Sequence, residues 1–89
     1  MLLEEIKIIN KLGLHARAAA KFVSTATRFE SKIRICKDGR EVDGKSIMSV
    51  MMLAASCGST VEIKTEGNDE KEALEAINTL INDRFGEGE

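Results

Sequence analysis

The 89-residue chain has no proline, tryptophan or tyrosine, and it contains only three phenylalanines, two cysteines and one histidine. The shortage of aromatic side chains and the formal charge of −2 argue against a nucleic-acid-binding surface. Cys36 and Cys57 form no CxxC pair and have too few Cys and His companions for a metal site, so we expect free thiols and no metal or cofactor. No apolar run could span a bilayer and no cleavable leader pattern is present, which favours a cytoplasmic protein without membrane insertion.

The residues that are present fit one small folded domain. Hydrophobic residues make up 43% of the chain and charged residues 31%, which is ordinary for a globular protein and too apolar for disorder. The chain shows no repeat, linker or low-complexity segment. We therefore expect a single, monomeric domain over residues 1–89, with residues from about 86 to 89 forming a flexible tail.

The apolar pattern predicts the order strand, helix, strand, strand, helix, strand, helix. Strands are predicted at 2–9, 31–37, 40–43 and 60–65, and helices at about 16–26, 47–54 and 70–85. The last helix buries Ala73, Leu74, Ile77, Leu80, Ile81 and Phe85 and is closed by Gly86. Because the strands alternate and each needs only one apolar face, the pattern favours an α+β fold, an antiparallel sheet covered by helices on one side.

Short polar signals predict how these elements begin and turn. Asp38-Gly39 stands between two extended runs, which is typical of a tight hairpin because both turn residues need positive φ. Ser46 is the predicted N-cap of the second helix. Asp69 is the predicted N-cap of the third, with Glu72 three residues later, as in a capping box.

The segment from Gly39 to Ser46 matches the P-loop pattern, but its context argues against a nucleotide site. A P-loop needs a flexible loop whose backbone N–H groups surround phosphate between a buried strand and a long helix. Here Glu41 and Asp43 would place carboxylates where phosphate should lie, and Val42 suits a hairpin strand. We interpret the match as coincidental.

The only histidine, His15, lies between a predicted strand and an alanine-rich helix, with Gly13 before it and Arg17 after it. The first N–H groups of a helix have no partner inside the helix, so this position is a natural anion site. Three interpretations remain open from the residues alone: an incidental surface or capping residue, a metal ligand without companions, or a nucleophile. For a nucleophile, the amides of Ala16 and Arg17 and the Arg17 guanidinium could hold a phosphoryl group. No catalytic carboxylate is apparent nearby in sequence, which suits a group carrier better than an enzyme.

The second predicted helix, residues 47–54, is apolar almost all round. A short helix in a small domain cannot bury every side, so some of its methionines should face solvent or a partner. The alternative is that all of them fill the core.

Two separated motifs resemble the HPr family, the histidine-containing phosphocarriers of the bacterial phosphotransferase system. They are Gly13-Leu14-His15-Ala16-Arg17 with its alanine-rich helix, and Gly44-Lys45-Ser46-Ile47-Met48. The resemblance covers the whole chain and implies an HPr-like open-faced β-sandwich, with a four-stranded antiparallel sheet and three helices on one face. It implies a carrier, not an enzyme in the strict sense, that takes a phosphoryl group from phosphorylated enzyme I, ultimately from phosphoenolpyruvate, and passes it to enzyme IIA domains.

The resemblance also implies roles for individual residues. His15 matches the histidine phosphorylated at Nδ1, Arg17 the arginine that stabilises the phosphoryl group, and Ser46 the regulatory serine modified by HPr kinase/phosphorylase. The implied partner-docking residues are Ala20, Ile47, Met48 and Met51. Family members usually have proline where this chain has Ala18, and we expect the helix to form regardless because alanine is a good helix former.

Two functions stay open at this point. The first is a phosphocarrier for sugar uptake or regulation. The second is a non-catalytic regulatory module of the nitrogen-related branch, which docks partners through the helix at 47–54. A small-molecule-binding domain is a third possibility, but the sequence indicates no apolar pocket for it.

Overall fold

The computed structural model describes residues 1–88 and contains four strands and three α-helices in the predicted order. The elements are β1 (Leu2–Lys7), α1 (Ala16–Ala26), β2 (Lys32–Lys37), β3 (Arg40–Asp43), α2 (Ile47–Met52), β4 (Thr60–Glu66) and α3 (Glu70–Asn82). A 3-10 turn, Arg84–Gly86, follows α3. β1 and α2 each end two residues earlier than predicted. α2 stops because Ala54 adopts a left-handed conformation with φ 51°.

The four strands form one antiparallel sheet in the order β1-β4-β2-β3. The register places Ile6 opposite Val61 and Ile35 opposite Ile63, so the apolar residues of neighbouring strands lie on the same face. These residues are buried, whereas the intervening polar residues are wholly or partly accessible to solvent. The α+β prediction, a four-stranded antiparallel sheet covered by three helices, is confirmed.

The core lies between the sheet and the helices. Its largest fully buried side chains include Phe22 from α1, Val50 from α2, and Ile77 and Ile81 from α3. Full burial of such a side chain contributes about 1.5–3 kcal/mol. α1 buries Ala19, Phe22 and Ala26, which are spaced three and four residues apart, and the helix begins at Ala16 with no proline in its first turn.

The hairpin prediction is confirmed, and the segment that matches the P-loop pattern forms part of this hairpin and not a phosphate-binding loop. Asp38 and Gly39 both have positive φ, 52° and 81°, and join β2 to β3. Asp43 Oδ1 accepts a hydrogen bond from the Lys45 N–H at 2.9 Å, and Lys45 Nζ donates to the Phe29 carbonyl at 2.7 Å. A carboxylate thus takes the amide that a P-loop would offer to phosphate, and the lysine is engaged elsewhere.

Asp69 lies at the N-cap position of α3, as predicted, but the predicted capping box is wrong. Asp69 makes no side-chain hydrogen bond to α3. Its carboxylate accepts instead from the Ser31 hydroxyl, from the Ser31 N–H at 2.9 Å and from the Glu30 N–H at 3.0 Å. These bonds, the one from the Ser31 hydroxyl first among them, lower the pKa of Asp69. The carboxylate joins the start of α3 to the segment before β2 because that segment offers several donors at once.

The end of the chain also differs from the sequence prediction. Phe85 is fully buried, as expected, but it lies after α3 in the 3-10 turn with φ 54°. Gly86 donates to the Asp83 carbonyl at 2.9 Å and Glu87 donates to the Arg84 carbonyl at 3.0 Å. Of the tail predicted at 86–89, residues 86 and 87 therefore have specific contacts, and Glu89 lies outside the described residues.

Candidate functional site

His15 is the N-cap of α1. Its backbone is extended (φ −75°, ψ 179°), its carbonyl accepts from the Ala19 N–H at 2.8 Å, and its Nδ1 accepts from the Arg17 N–H at 3.3 Å. The imidazole accepts a hydrogen bond from a backbone N–H of the first turn, as a serine or aspartate side chain usually does at an N-cap. Because Nδ1 accepts a hydrogen bond, it carries a lone pair directed towards the positive end of the helix.

The loop before His15 is fixed against the segment that follows α2. Gly13 has φ 67°, and a Cβ at this position would lie only 2.5 Å from the Ala55 carbonyl oxygen. The Leu14 N–H donates to that same oxygen at 2.8 Å. Only glycine fits the conformation and the space, so the motif glycine sets how closely the His15 loop approaches the end of α2.

A carboxylate that the sequence analysis did not predict lies on the other side of the imidazole. Glu87 Oε2 contacts His15 Nε2, and Glu87 Oε1 accepts from Asn10 Nδ2 at 3.0 Å. The His15 and Glu87 side chains are 27% and 10% exposed, respectively. With an N–H donor at Nδ1 and a carboxylate at Nε2, the neutral ring carries its proton on Nε2. No sequence signal points to this contact, because the residues are 72 positions apart.

Neighbouring side chains stabilise the negative charge of the Glu87 carboxylate. Burial alone would raise the pKa of this carboxyl group, but hydrogen bonds from Asn10 and His15, and the charges of His15 and Lys21, outweigh burial and lower the pKa below its ordinary value. Glu87 is therefore ionised at neutral pH and faces His15 as a carboxylate.

A strained turn brings Glu87 to the site. Arg84 and Phe85 both have φ 54°, a left-handed conformation that costs a non-glycine residue about 1–3 kcal/mol. Burial of the Phe85 ring offsets part of this cost, and Lys21 Nζ donates to the Phe85 carbonyl at 2.6 Å. The turn reverses the chain after α3 and directs it towards α1.

Cations surround a cleft beside His15. The cleft has a volume of about 260 Å³ and is lined by Lys11, Leu12, Arg17, Lys21, Gly86 and Glu87. Arg17 and Ala16 are exposed in the first turn of α1. This corner, which we call the His15 corner (residues 10–17, Lys21 and Glu87), offers an incoming anion a guanidinium and the first amides of a helix.

α2 presents the other predicted site. Ser46 Oγ accepts from the Ser49 N–H at 3.3 Å, so the predicted N-cap is confirmed. Val50 is buried, but the remaining large apolar residues are exposed. Their exposed fractions are 43% for Ile47, 71% for Met48, 38% for Met51 and 60% for Met52. We call these four residues the α2 surface. The expectation of surplus apolar surface is confirmed, and the alternative that every methionine fills the core is wrong.

Residues 1–88 form no disulfide, and they contain no cluster suited to a metal ion and no helix suited to crossing a membrane. Cys36 and Cys57 are both free thiols, as predicted. Among the described residues, no three His, Cys, Asp or Glu side chains are grouped so that they could hold a metal ion. None of the helices described is long and apolar enough to cross a membrane.

Comparison with known proteins decides the family. Residues 3–83 match the family model described as "PTS HPr component phosphorylation site". The chain belongs to the HPr family. It is 57% identical to the phosphocarrier protein HPr of Cupriavidus necator over 89 residues, the whole of both chains, and 59% identical to that of Pseudomonas aeruginosa over 86 residues, 96% of each. A crystal structure of HPr-C-His from Thermoanaerobacter tengcongensis superposes with a TM-score of 0.95 at 49% identity, covering 98% of each chain.

Family membership confirms the coarser conclusions drawn from the sequence motifs. Members of this family are phosphocarrier components of the phosphotransferase system and are not enzymes in the strict sense, and this chain is one of them. The structure adds the local geometry, in which His15 Nδ1 faces the start of α1 with Arg17 beside it.

Proposed function

We propose that His15 accepts a phosphoryl group on Nδ1 from phosphorylated enzyme I, and passes it to enzyme IIA domains. The observation that carries this proposal is the hydrogen bond from the Arg17 N–H to His15 Nδ1, which leaves a lone pair on Nδ1 at the N-terminus of α1. A phosphoryl group on Nδ1 would replace the lone pair as the acceptor of that N–H. The site that caps the helix before transfer would then hold the transferred anion.

The transfer needs little beyond this geometry. The Nδ1 lone pair attacks phosphorus, the bond from phosphorus to the donor atom breaks, and the donor atom keeps its electron pair. Arg17 and the amides of Ala16 and Arg17 stabilise the negative charge on the phosphoryl oxygens. The same steps in reverse deliver the group to an acceptor, so the protein carries the group without completing a reaction of its own.

The α2 surface is the proposed docking site for these partners, together with Ala20 of α1. Ala20 is exposed, and the Leu14 N–H bond to the Ala55 carbonyl joins the His15 loop directly to the segment after α2. A partner that covers the α2 surface is therefore close to His15. Methionine side chains suit a surface that must bind more than one partner, because they are flexible and polarisable.

Ser46 is the proposed regulatory phosphorylation site for HPr kinase/phosphorylase. Its side chain is half-buried at the start of α2, next to the exposed Ile47 and Met48 side chains. A phosphate at Ser46 would add negative charge at the edge of the α2 surface. We propose that this charge weakens docking of enzyme I by repelling an acidic partner surface.

Two biological settings fit this chemistry. One is sugar uptake, with the exchange taking place in the cytoplasm. The other is a regulatory module of the nitrogen-related branch, in which the modified protein acts by docking to partners. In the second case, binding through the α2 surface would matter more than the rate of transfer from His15.

The test is a phosphorylation assay with phosphoenolpyruvate and enzyme I. We expect one acid-labile phosphohistidine per chain in the unmodified protein and none in His15→Ala. An Arg34→Gln variant, altered on the exposed face of β2, serves as a control and should be labelled normally. Absence of label in the unmodified protein, or label that persists in His15→Ala, would contradict the proposal.

A further inference from the structure

The Glu87 carboxylate bridges two donors of the His15 corner. One oxygen faces His15 Nε2, and the other accepts from Asn10 Nδ2 at 3.0 Å. Asn10 is fully buried, and its Nδ2 also donates to the Gly13 carbonyl at 2.8 Å. The contact therefore connects the C-terminal turn, the loop before His15 and the imidazole itself.

The orientation of Asn10 shows that this arrangement is specific. Both Nδ2 hydrogens are used, and Asn10 Oδ1 is left buried without a hydrogen-bond partner among residues 1–88. An unpaired buried oxygen is costly. The opposite amide orientation would be worse, because it would place Asn10 Oδ1 against two other acceptors, the Gly13 carbonyl and the Glu87 carboxylate. Because both acceptors need a donor, the Asn10 amide has one favourable orientation. In that orientation its Nδ2 also holds Glu87 Oε1 in place.

The turn that carries Glu87 is held in a strained conformation. Two consecutive left-handed residues, Arg84 and Phe85, are kept in place by burial of the phenylalanine ring and by the bond from Lys21 Nζ to the Phe85 carbonyl. Without these contacts, the chain would be free to leave α1, and the carboxylate with it. The backbone thus carries strain where the chain approaches the site.

We propose that Glu87 is a positioning residue for phosphoryl transfer, acting through the His15 ring, an inference that rests on the proposed function. It holds the proton on Nε2 and so keeps the Nδ1 lone pair available to phosphorus. It also faces the positive charge that the ring acquires on phosphorylation. A carboxylate that orients a histidine and stabilises its charged form has the same role beside catalytic histidines in hydrolases.

The proton and charge balance shows where the carboxylate acts. On acceptance, the Nδ1–P bond forms and the donor bond breaks, so the ring holds phosphorus on Nδ1, the original proton on Nε2 and one positive charge. On delivery, the acceptor attacks phosphorus, and the electron pair of the Nδ1–P bond returns to Nδ1, which leaves a neutral imidazole. If the proton on Nε2 were lost first, the leaving group would be an imidazolate anion, a poor leaving group. Glu87 keeps that proton in place in both directions.

The decisive variant is Glu87→Gln, which removes the charge and nearly preserves the shape. Its amide has only one acceptor oxygen, whereas Asn10 Nδ2 and His15 Nε2 are both donors, so one of the two bonds is lost. Glu75→Gln is the matched control, because Glu75 is exposed on α3. We expect acceptance and delivery to fall roughly 10- to 100-fold in Glu87→Gln, as for loss of a hydrogen bond to a charged group, and to be unchanged in Glu75→Gln.

Two further readouts separate positioning from a merely structural role. Imidazole nitrogen and proton NMR should show the His15 proton on Nε2, protected from exchange with solvent, and this protection should be lost in Glu87→Ala. Formate added to Glu87→Ala should restore part of the transfer rate, and chloride at equal ionic strength should not, because only a small carboxylate can face Nε2.

The outcomes are distinguishable. Normal transfer in Glu87→Gln, or a Glu87→Ala defect that formate leaves unchanged, would overturn the positioning role while the proposed function stands. Absence of label in the unmodified protein would overturn the proposed function, and this inference with it. A fall in the rate that formate reverses, with the Nε2 proton exposed to exchange in Glu87→Ala, would support the inference.

Discussion

The molecule contains two helix N-termini that are capped in nearly the same way and surrounded very differently. At α1 the Arg17 N–H donates to His15 Nδ1 at 3.3 Å, and at α2 the Ser49 N–H donates to Ser46 Oγ at 3.3 Å. At α1 the cap is followed by an exposed arginine and contacted by the Glu87 carboxylate. At α2 the cap is followed by exposed apolar side chains.

This difference shows that a cap alone does not define the chemistry of a helix start. Both caps satisfy an amide that would otherwise lack a partner. At α1 the polar surroundings fix the ring, supply positive charge and place the Nδ1 lone pair at the start of the helix, which suits group transfer. At α2 the apolar surroundings provide area for contact with a partner, and Lys45, the residue before the cap, donates to the Phe29 carbonyl instead. We interpret the two regions as a transfer site and a docking site held together through the Leu14–Ala55 hydrogen bond.

The largest effect should follow from Gly13→Ala, which acts on the connection between the two regions. A methyl group here would lie 2.5 Å from the Ala55 carbonyl oxygen at φ 67°. Strain and overpacking each cost about 1–3 kcal/mol, so we expect the free energy of unfolding measured in urea to fall by roughly 2–6 kcal/mol. Displacement of the His15 loop should lower phosphoryl acceptance by roughly 100-fold. Gly39→Ala, where a Cβ meets nothing within 4 Å, is the control for positive φ alone. Equal effects of the two changes would contradict the role of the close contact.

Arg17→Gln should have the next largest effect, confined to the transfer site. Loss of a hydrogen-bonding cation beside a phosphoryl group costs about 1.5–3 kcal/mol, so we expect acceptance from enzyme I to fall roughly 10- to 100-fold. Stability should change little because Arg17 is exposed. Stopped-flow transfer rates test this, with Arg34→Gln as the charge-matched control on the exposed face of β2. A similar loss in both variants would mean that overall charge matters more than position.

Ser46→Asp tests the effect of negative charge at the edge of the α2 surface. Aspartate is as good an N-cap as serine, so α2 should form normally, while the added charge should slow acceptance from enzyme I by roughly 3- to 10-fold. Ser46→Asn keeps the cap without the charge and should transfer at the unmodified rate. If Ser46→Asp accepted phosphate at the unmodified rate, the proposed regulation by charge would be wrong.

Met48→Ala should have the smallest effect and should separate docking from chemistry. Met48 is 71% exposed, so we expect unfolding free energy to change by less than about 0.5 kcal/mol. The KM for enzyme I should rise by up to about fivefold, because most single truncations at an interface cost about 1 kcal/mol or less. Leu3→Ala, at a residue 48% exposed on β1, should leave the KM unchanged. A fall in kcat without a change in KM would contradict a docking role.

Much of the fold could be predicted because its signals are local. Alternation in the strands, the three- and four-residue spacing in α1 and the Asp38-Gly39 turn depend on neighbouring residues. Asp69 shows where this reasoning fails. Its position before α3 favoured a cap, but three donors from Glu30 and Ser31, nearly forty residues away, compete for the same carboxylate. Only the folded chain brings them together.

The site shows the same division. His15, Arg17 and Ser46 could be selected from motifs because the motif itself forms the loop and the cap. Glu87 could not, because it reaches His15 through two left-handed residues, Arg84 and Phe85, whose types disfavour that conformation. Burial of Phe85 could be predicted from the sequence, but the left-handed turn and the hydrogen bond from Lys21 to the Phe85 carbonyl leave no pattern there.

The most direct test of the central claim is to identify the nitrogen that carries phosphorus. In protein with isotopically labelled histidine, phosphorylated by phosphoenolpyruvate and enzyme I, coupling between nitrogen and phosphorus assigns the bond. We expect phosphorus on Nδ1 of His15, with the proton retained on Nε2 facing Glu87. Phosphorus on Nε2 would contradict it, because the transferred group would then occupy the side of the ring where the carboxylate lies.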